Sequence, residues 1–317
     1  MLLTSTGKDP HAFHSRLAKF NRDHLSVGTP SMSWEKDERD ELMFRLMEGR
    51  YLEELRNIVK PLTKRNTANA DEFVSWFESV AAWGPGQYHP LFEWLAHTAT
   101  RDEMKWFLTQ EAAGEAGFED LVAYTQVKLP AQAKLECARN YWDEMGRGKP
   151  KAMHGPLLEY MVVDLNLNPT IDATVWESLA LANTMLALAR ARRYTYHSLG
   201  ALGVIELTAP WRAARVAEGM RRLGFSRRAR AYFDLHAVLD LKHSSAWNRE
   251  IIHPLVTANH ECAQYFAEGA LMRLQCGKLC FDRYSREFGL SISNADYYNG
   301  ENIMGGENIM QKVANSR

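Results

Sequence analysis

Residues 233–243 read Phe233-Asp234-Leu235-His236-Ala237-Val238-Leu239-Asp240-Leu241-Lys242-His243. At about 100° per residue, His236, Asp240 and His243 fall within about 60° of one another on a helical wheel, so one face over two turns carries three potential metal ligands. The stripe lies among Leu235, Val238, Leu239 and Leu241, where burying two imidazoles and a carboxylate without partners is costly. A lone histidine there would usually be a hydrogen-bonded core residue. A triplet on one face points instead to metal ligation.

The same helical period extends outward in both directions. From Ser33, the residues Leu42, Met43, Leu46, Met47, Tyr51, Leu52 and Leu55 recur at three and four, and further helices are expected over 71–83, 88–98, 101–113, 131–145, 153–165, 174–192, 196–222, 226–243 and 247–285. No stretch alternates with β-branched enrichment, and the one Asn-Gly, at 299–300, lies in the tail, so the fold class is all-α. Breaks at Gly84-Pro85-Gly86, Leu129-Pro130, Gly146 to Pro150, Asn166 to Pro169 and Leu223-Gly224 are short enough to join helices of one bundle. Residues 1–33 are polar and turn-rich and read as an arm or flexible lead-in. The polar tail repeats Glu301-Asn302-Ile303-Met304 as Glu307-Asn308-Ile309-Met310. The expected organisation is an N-terminal arm and helical extension over 1–60, a helical domain over 61–290 and a polar tail over 291–317.

Composition narrows the partners. With 317 residues, 38 Lys plus Arg against 39 Asp plus Glu, and 46% hydrophobic residues, the chain can build a full core but has no global field for nucleic acid or an acidic membrane. Four cysteines, Cys137, Cys262, Cys276 and Cys280, form no CxxC pair, and reduced thiols in a cytoplasm are the expectation. Neither a signal-peptide core nor a run of about 20 apolar residues is present.

Two weaker signals accompany the triplet. Glu144 ends one helix and His154 opens the next across the Gly146-Arg147-Gly148 turn, which can swing both toward one centre. Glu111 follows Trp106, Phe107 and Leu108 at the end of a core-facing run, although Glu115, one turn later, could equally be the inward residue.

In order, Glu111, then Glu144 with His154, then His236-x3-Asp240-x2-His243 resembles the ligand set of the heme-oxygenase-like diiron oxidases and oxygenases, the iron-containing redox enzymes. The resemblance spans about residues 90–285 and takes in Gly200-Ala201-Leu202-Gly203 with Glu206, and Ala209-Pro210-Trp211-Arg212. It implies a heme-oxygenase-like helical bundle holding two Fe(II) per chain, with O2 as cosubstrate. The six ligands would divide as Glu111, His154 and His243 on one iron and Glu144, His236 and Asp240 on the other, with Glu206 an additional carboxylate or a partner that orients a ligand. A small amino-acid-derived or carboxylate-bearing substrate, oxidised by N-oxygenation or C–C cleavage, follows from the same resemblance; fatty-acid-type decarboxylation is the alternative on the same site. Residues 1–60 have no counterpart there and would cap the bundle or carry homodimer contacts.

Competing readings attach to particular residues. A haem relative of this fold would use His89 or His97 as axial ligand with Gly200 and Gly203 on the distal helix, and a thiaminase-like member would use Cys137 as nucleophile. Glu250-x-x-His253 copies half of a ferritin-like carboxylate motif. A non-enzymatic all-α interaction module would leave the buried polar groups merely hydrogen-bonded. If the site is an oxygenase, the pocket is expected beside Gly200, Gly203 and Glu206, with Arg212 or Arg215 for a substrate carboxylate and Leu199, Leu202 and Ile205 for a long apolar acid. The arginines of 190–193 and 221–230 read as a solvated face.

Overall fold

The computed structural model describes residues 4–7, 9–63 and 68–291. Helix α1 (Pro10–Leu25) and the long α2 (Trp34–Val59) come first, followed by α3 (Ala70–Trp83), α4 (Pro90–His97), α5 (Arg101–Gly114) and α6 (Phe118–Thr125). Then come α7 (Ala131–Glu144), α8 (His154–Leu165), α9 (Trp176–Arg190), α10 (Thr195–Arg222) and α11 (Arg227–Trp247). After a π-helical turn at Asn248–Ile252, α12 (His253–Ala258) and α13 (Cys262–Glu287) complete an all-α, heme-oxygenase-like bundle. No helix is long and apolar enough to cross a membrane among the described residues.

Side-chain caps mark the starts the sequence spells out. Thr100 and Glu103 form a reciprocal capping box on α5, Asn69 accepts from the Glu72 N–H on α3, and Ser226 from the Ala229 N–H on α11. The centre of the bundle is α10, and glycines let its neighbours come close. A Cβ at Gly200 would sit 2.1 Å from the Phe266 carbonyl oxygen, and one at Gly269 of α13 would sit 1.9 Å from that of His197. The two helices therefore touch backbone to backbone at reciprocal glycines. Trp247 locks α11 onto the same helix, its indole donating to the Leu199 carbonyl at 3.1 Å. Pro210, inside α10, removes the N–H that the Glu206 carbonyl would accept and so loosens the helix where it passes the site.

Three expectations are corrected. Residues 10–25 are a helix, not a flexible lead-in, and it packs on α9. Its inward positions are shared by apolar Phe13 and Leu17 with polar His14 and Asn21, which hides the apolar period. Asn21 donates to Asn183 at 3.1 Å, and Asn183 donates to the His14 carbonyl at 3.0 Å. The helix expected across 247–285 is interrupted, because Pro254 cannot donate to the Glu250 carbonyl and Asn259–Glu261 leave the helical path. The solvated arginine face holds only in part: Arg192, Arg193, Arg221, Arg222, Arg227 and Arg228 are exposed, but Arg190 pairs with Glu48 at 3.1 Å and Arg222 also donates to the Leu95, Ala96 and Ala99 carbonyls. On α2, Tyr51, Leu52 and Leu55 are buried as expected while Leu42, Met43 and Leu46 are exposed. All four cysteines are buried and unpaired. The tail repeat lies outside the described residues.

Candidate metal centre

Four helices meet at the centre. Helix α7 ends on Glu144, and the chain reverses through Gly146 (φ +60°), Arg147 (φ 53°) and Gly148 (φ +80°) before α8 opens on His154. A Cβ at Gly146 would lie 2.5 Å from the Ala152 carbonyl carbon, so only glycine fits where the turn closes on itself. Helix α11 presents His236, Asp240 and His243 from one face, and α10 contributes Glu206.

Two groups result. Glu144, His154 and His236 offer ligand atoms that all lie within 4.8 Å of one another, as do Glu144, Glu206 and His243; Glu144 is common to both. Glu144, His154, Glu206, Asp240 and His243 are buried. His236 donates from Nδ1 to the Tyr232 carbonyl at 2.7 Å, which leaves Nε2 as its free lone pair. His243 Nε2 lies 3.1 Å from Asp143 Oδ2; a carboxylate can only accept, so Nε2 carries a proton and Nδ1 is the nitrogen turned inward beside Glu206. Arg147 in turn donates to Asp143 at 2.6 Å, and Asn140 donates to Glu206 at 2.7 Å. His236, His243 and Glu206 are thus each aimed by an outer group.

The inner contacts are not ordinary hydrogen bonds. His154 Nδ1 is 2.6 Å from Glu144 Oε2, and His243 Nδ1 is 3.5 Å from Glu206 Oε2. Neither nitrogen has a hydrogen-bond partner in usable geometry. Short nitrogen–oxygen approaches without hydrogen-bond geometry are compatible with ligand atoms gathered for a shared cation.

Electrostatics says the same. Burial first, then the neighbouring Glu206, pushes the Glu144 carboxyl well above its ordinary range; burial, Glu206 and Glu144 do so for Asp240. Burial and the facing His154 lower His236 to about 4, and burial and His243 lower His154. His243 alone rises, to about 9, because Glu206 and Asp143 outweigh its burial. The cluster's carboxylates repel one another with only His243 to offset them, and a multivalent cation that displaces the protons on Glu144, Asp240 and His243 is what the donor set would accommodate.

Glu111 stands apart. It lies with Arg212 and Arg273 on the wall of a cavity of about 140 Å³ that also reaches Glu144, Glu206, His236 and Asp240. Burial raises its carboxyl against the pull of those two arginines. Glu206 belongs to one of the two groups and Glu111 to neither. The groups also divide differently from the expected split, His154 lying with His236 and His243 with Glu206. Asp240 is buried against the same carboxylates without joining either group.

Other expectations resolve plainly. Gly200 and Gly203 are packing residues, meeting Phe266 and Trp247, and do not line the cavity. Arg212 lines it, whereas Arg215 pairs with Glu218 at 2.9 Å. Ile205 lines it, while Leu199 and Leu202 are buried in the core away from it. His89 caps α4 and meets Asp282, and His97 meets Glu93, so neither faces the cavity. Cys137 is buried, its thiol pushed up to about 12, and it too is off the cavity wall. Glu250 is held by Arg249 and Gln132, and His253 by Asp71.

The chain belongs to the family of iron-containing redox enzymes, whose sequence pattern matches residues 105–278. Similar folds occur in two crystal structures of a CADD-like protein of unknown function from Nostoc punctiforme PCC 73102. One has a TM-score of 0.55 at 16% identity, covering 69% of this chain and 97% of that one. The other has 0.53 at 17%, covering 71% and 99%. No curated protein matches.

Proposed function

We propose that the protein is a non-haem diiron oxygenase or oxidase acting on a small amino-acid-derived or carboxylate-bearing metabolite with O2 as cosubstrate. The observation that carries this reading is the pair of ligand groups sharing Glu144, in which the Nδ1 atoms of His154 and His243 lack a hydrogen-bond partner. Glu144, His154 and His236 would hold one ion, and Glu144, Glu206 and His243 the other, with Asp240 in reserve beside both carboxylates. Two ferrous ions there supply a centre that can reduce O2.

The protein's own contribution is orientation and exclusion of water. Asp143 fixes the His243 tautomer, Asn140 holds Glu206, and the Tyr232 carbonyl fixes His236. The Tyr232 ring lies 4.2 Å from the His236 ring, and its hydroxyl donates to Glu115 at 3.3 Å. Burial, then Glu115, keeps that phenol protonated. Phe92, Leu181, Met185, Val216, Phe233 and Phe281 supply apolar wall, and Glu115 and Tyr232 line the cavity as well. A cavity of about 140 Å³ favours a small molecule over a long acyl chain, since drug-sized ligands need about 300 Å³ or more.

Oxygen consumption by the anaerobically Fe(II)-loaded protein tests the reading. Small amino and carboxylic acids should accelerate it and long-chain fatty acids should not. Acceleration by long-chain acids alone would favour the decarboxylase instead, and no uptake with any acid would contradict an oxygenase of this substrate class.

A further inference from the structure

The cavity carries both signs of charge on its wall. Glu144, Glu206, His236 and Asp240 line it together with two guanidinium groups, Arg212 from α10 and Arg273 from α13, and Arg212 is close enough to Asp240 for each to feel the other's charge. Two arginines placed together in a core repel each other, and Arg212 is lowered to about 9 by burial and then by Arg273. Neither makes a hydrogen bond or ion pair among the described residues. Glu111, whose charge they feel, stays outside bonding range. Such guanidiniums are costly to keep unless something binds them.

Their setting is built. The Arg212 guanidinium carbon stands 5.7 Å from the Phe281 ring centre, a cation–π placement. One turn beyond Arg273 on α13, Gly277 leaves room for the guanidinium: a Cβ there would meet Arg273 Nη1 at 2.8 Å and Phe281 at 3.6 Å. Gly277 thus seats Arg273 beside the ring over which Arg212 lies. Planar guanidiniums present paired N–H donors that match a carboxylate.

We propose that Arg212 and Arg273 form a clamp for the carboxylate of a small substrate, directing the rest of that molecule along the apolar wall toward the Glu144 centre. The proposal rests on the oxygenase reading for what happens at that centre, but the clamp itself is a property of the chain. Glu111 is then part of the binding site, where it would receive the ammonium of an amino acid.

Calorimetric titration of 4-methylpentanoate, L-leucine and the uncharged 4-methylpentan-1-ol tests this, using Fe(II)-loaded protein without O2 and chelator-treated protein. Both acids should bind and the alcohol should not. Arg212→Gln and Arg273→Gln should each weaken the acids about 10–100-fold, as expected for losing a charged hydrogen bond, with iron content unchanged. Gly277→Ala keeps every charge and favours the helix, yet should weaken binding by displacing Arg273. Because it should melt no lower than wild type, it separates a lost clamp from a lost fold. Acid affinities indifferent to all three substitutions, equal binding of the alcohol, or no binding of either acid to wild type would overturn the clamp. Arginine-dependent binding in a protein that takes up no iron would sink the diiron reading and leave the clamp standing. A leucine advantage that disappears in Glu111→Gln identifies an amino acid as the source of the carboxylate. A 4-methylpentanoate advantage identifies a plain acid, and both results sustain the clamp.

Discussion

Around Glu268, α13 buries a carboxylate against Arg56 at 2.5 Å, His197 at 3.0 Å and Gln264 at 2.9 Å. Around Glu144, the bundle buries a carboxylate beside Glu206, His154 and His236, with His243 the one neighbour drawn toward its cationic form. Both clusters combine buried Glu with His, but their charges are balanced in opposite ways. Burial alone would raise Glu268; its three donors outweigh that and draw it down to about 2. Glu144 is pushed far up. A buried acid whose donors come from its own chain ties the fold together. One set among more acids than its single raised histidine can offset calls for a cation from outside.

The largest expected effect separates the two by stability. Glu268→Ala leaves His197 without its carboxylate and Arg56 with Glu53 alone, and should cost about 3 kcal/mol, read from urea unfolding. Glu144→Gln in chelator-treated protein should be neutral or stabilising, because it removes a source of repulsion. A loss from Glu144→Gln as large as that from Glu268→Ala would erase the distinction.

A pH series sharpens it. Glu268, with its folded pKa depressed, contributes stability that is present above its ordinary value near 4.5 and lost as pH falls toward about 2. Glu144 and Asp240 are raised, so their folded forms hold protons that the unfolded chain has released. Chelated protein should therefore lose stability as pH rises past the ordinary carboxylate range. Bound metal should abolish that loss. Unfolding midpoints measured across pH with and without metal check both limbs, and identical profiles in the two states would contradict the assignment.

How much of this was legible in the sequence depends on which interaction did the placing. The one-face grouping of His236, Asp240 and His243 could be read because helical geometry alone sets it. Glu144 and His154 could be read because the intervening glycines announce the reversal. Glu206 carried only a secondary signal, since its place depends on how α10 crosses α7 and α11, a tertiary matter set by Gly200, Gly203 and Gly269. Glu111 was placed by position along the chain, which says nothing about Arg212 and Arg273 arriving from two other helices. Helix α1 escaped notice because hydrogen-bonded asparagines and a histidine fill positions where apolar residues would have shown the period.

Two smaller effects probe the supports. Gly269→Ala forces a methyl into the His197 carbonyl and should cost about 1–3 kcal/mol by separating α10 from α13; since α10 carries Glu206, metal affinity should fall with it. Asn140→Ala frees Glu206 without touching the core and should weaken metal binding about 10–100-fold with little change in the metal-free melting curve. Unchanged affinity in that variant would remove Asn140 from the support of the site.

Iron per chain after anaerobic Fe(II) loading and desalting, compared among wild type, Glu144→Gln and Glu111→Gln, tests the centre most directly. The geometry predicts about two ions in wild type, a loss from both groups in Glu144→Gln and no loss in Glu111→Gln, as expected if carboxylates and imidazoles suited to Fe(II) converge on Glu144. Full iron in Glu144→Gln, or iron lost only in Glu111→Gln, would contradict it.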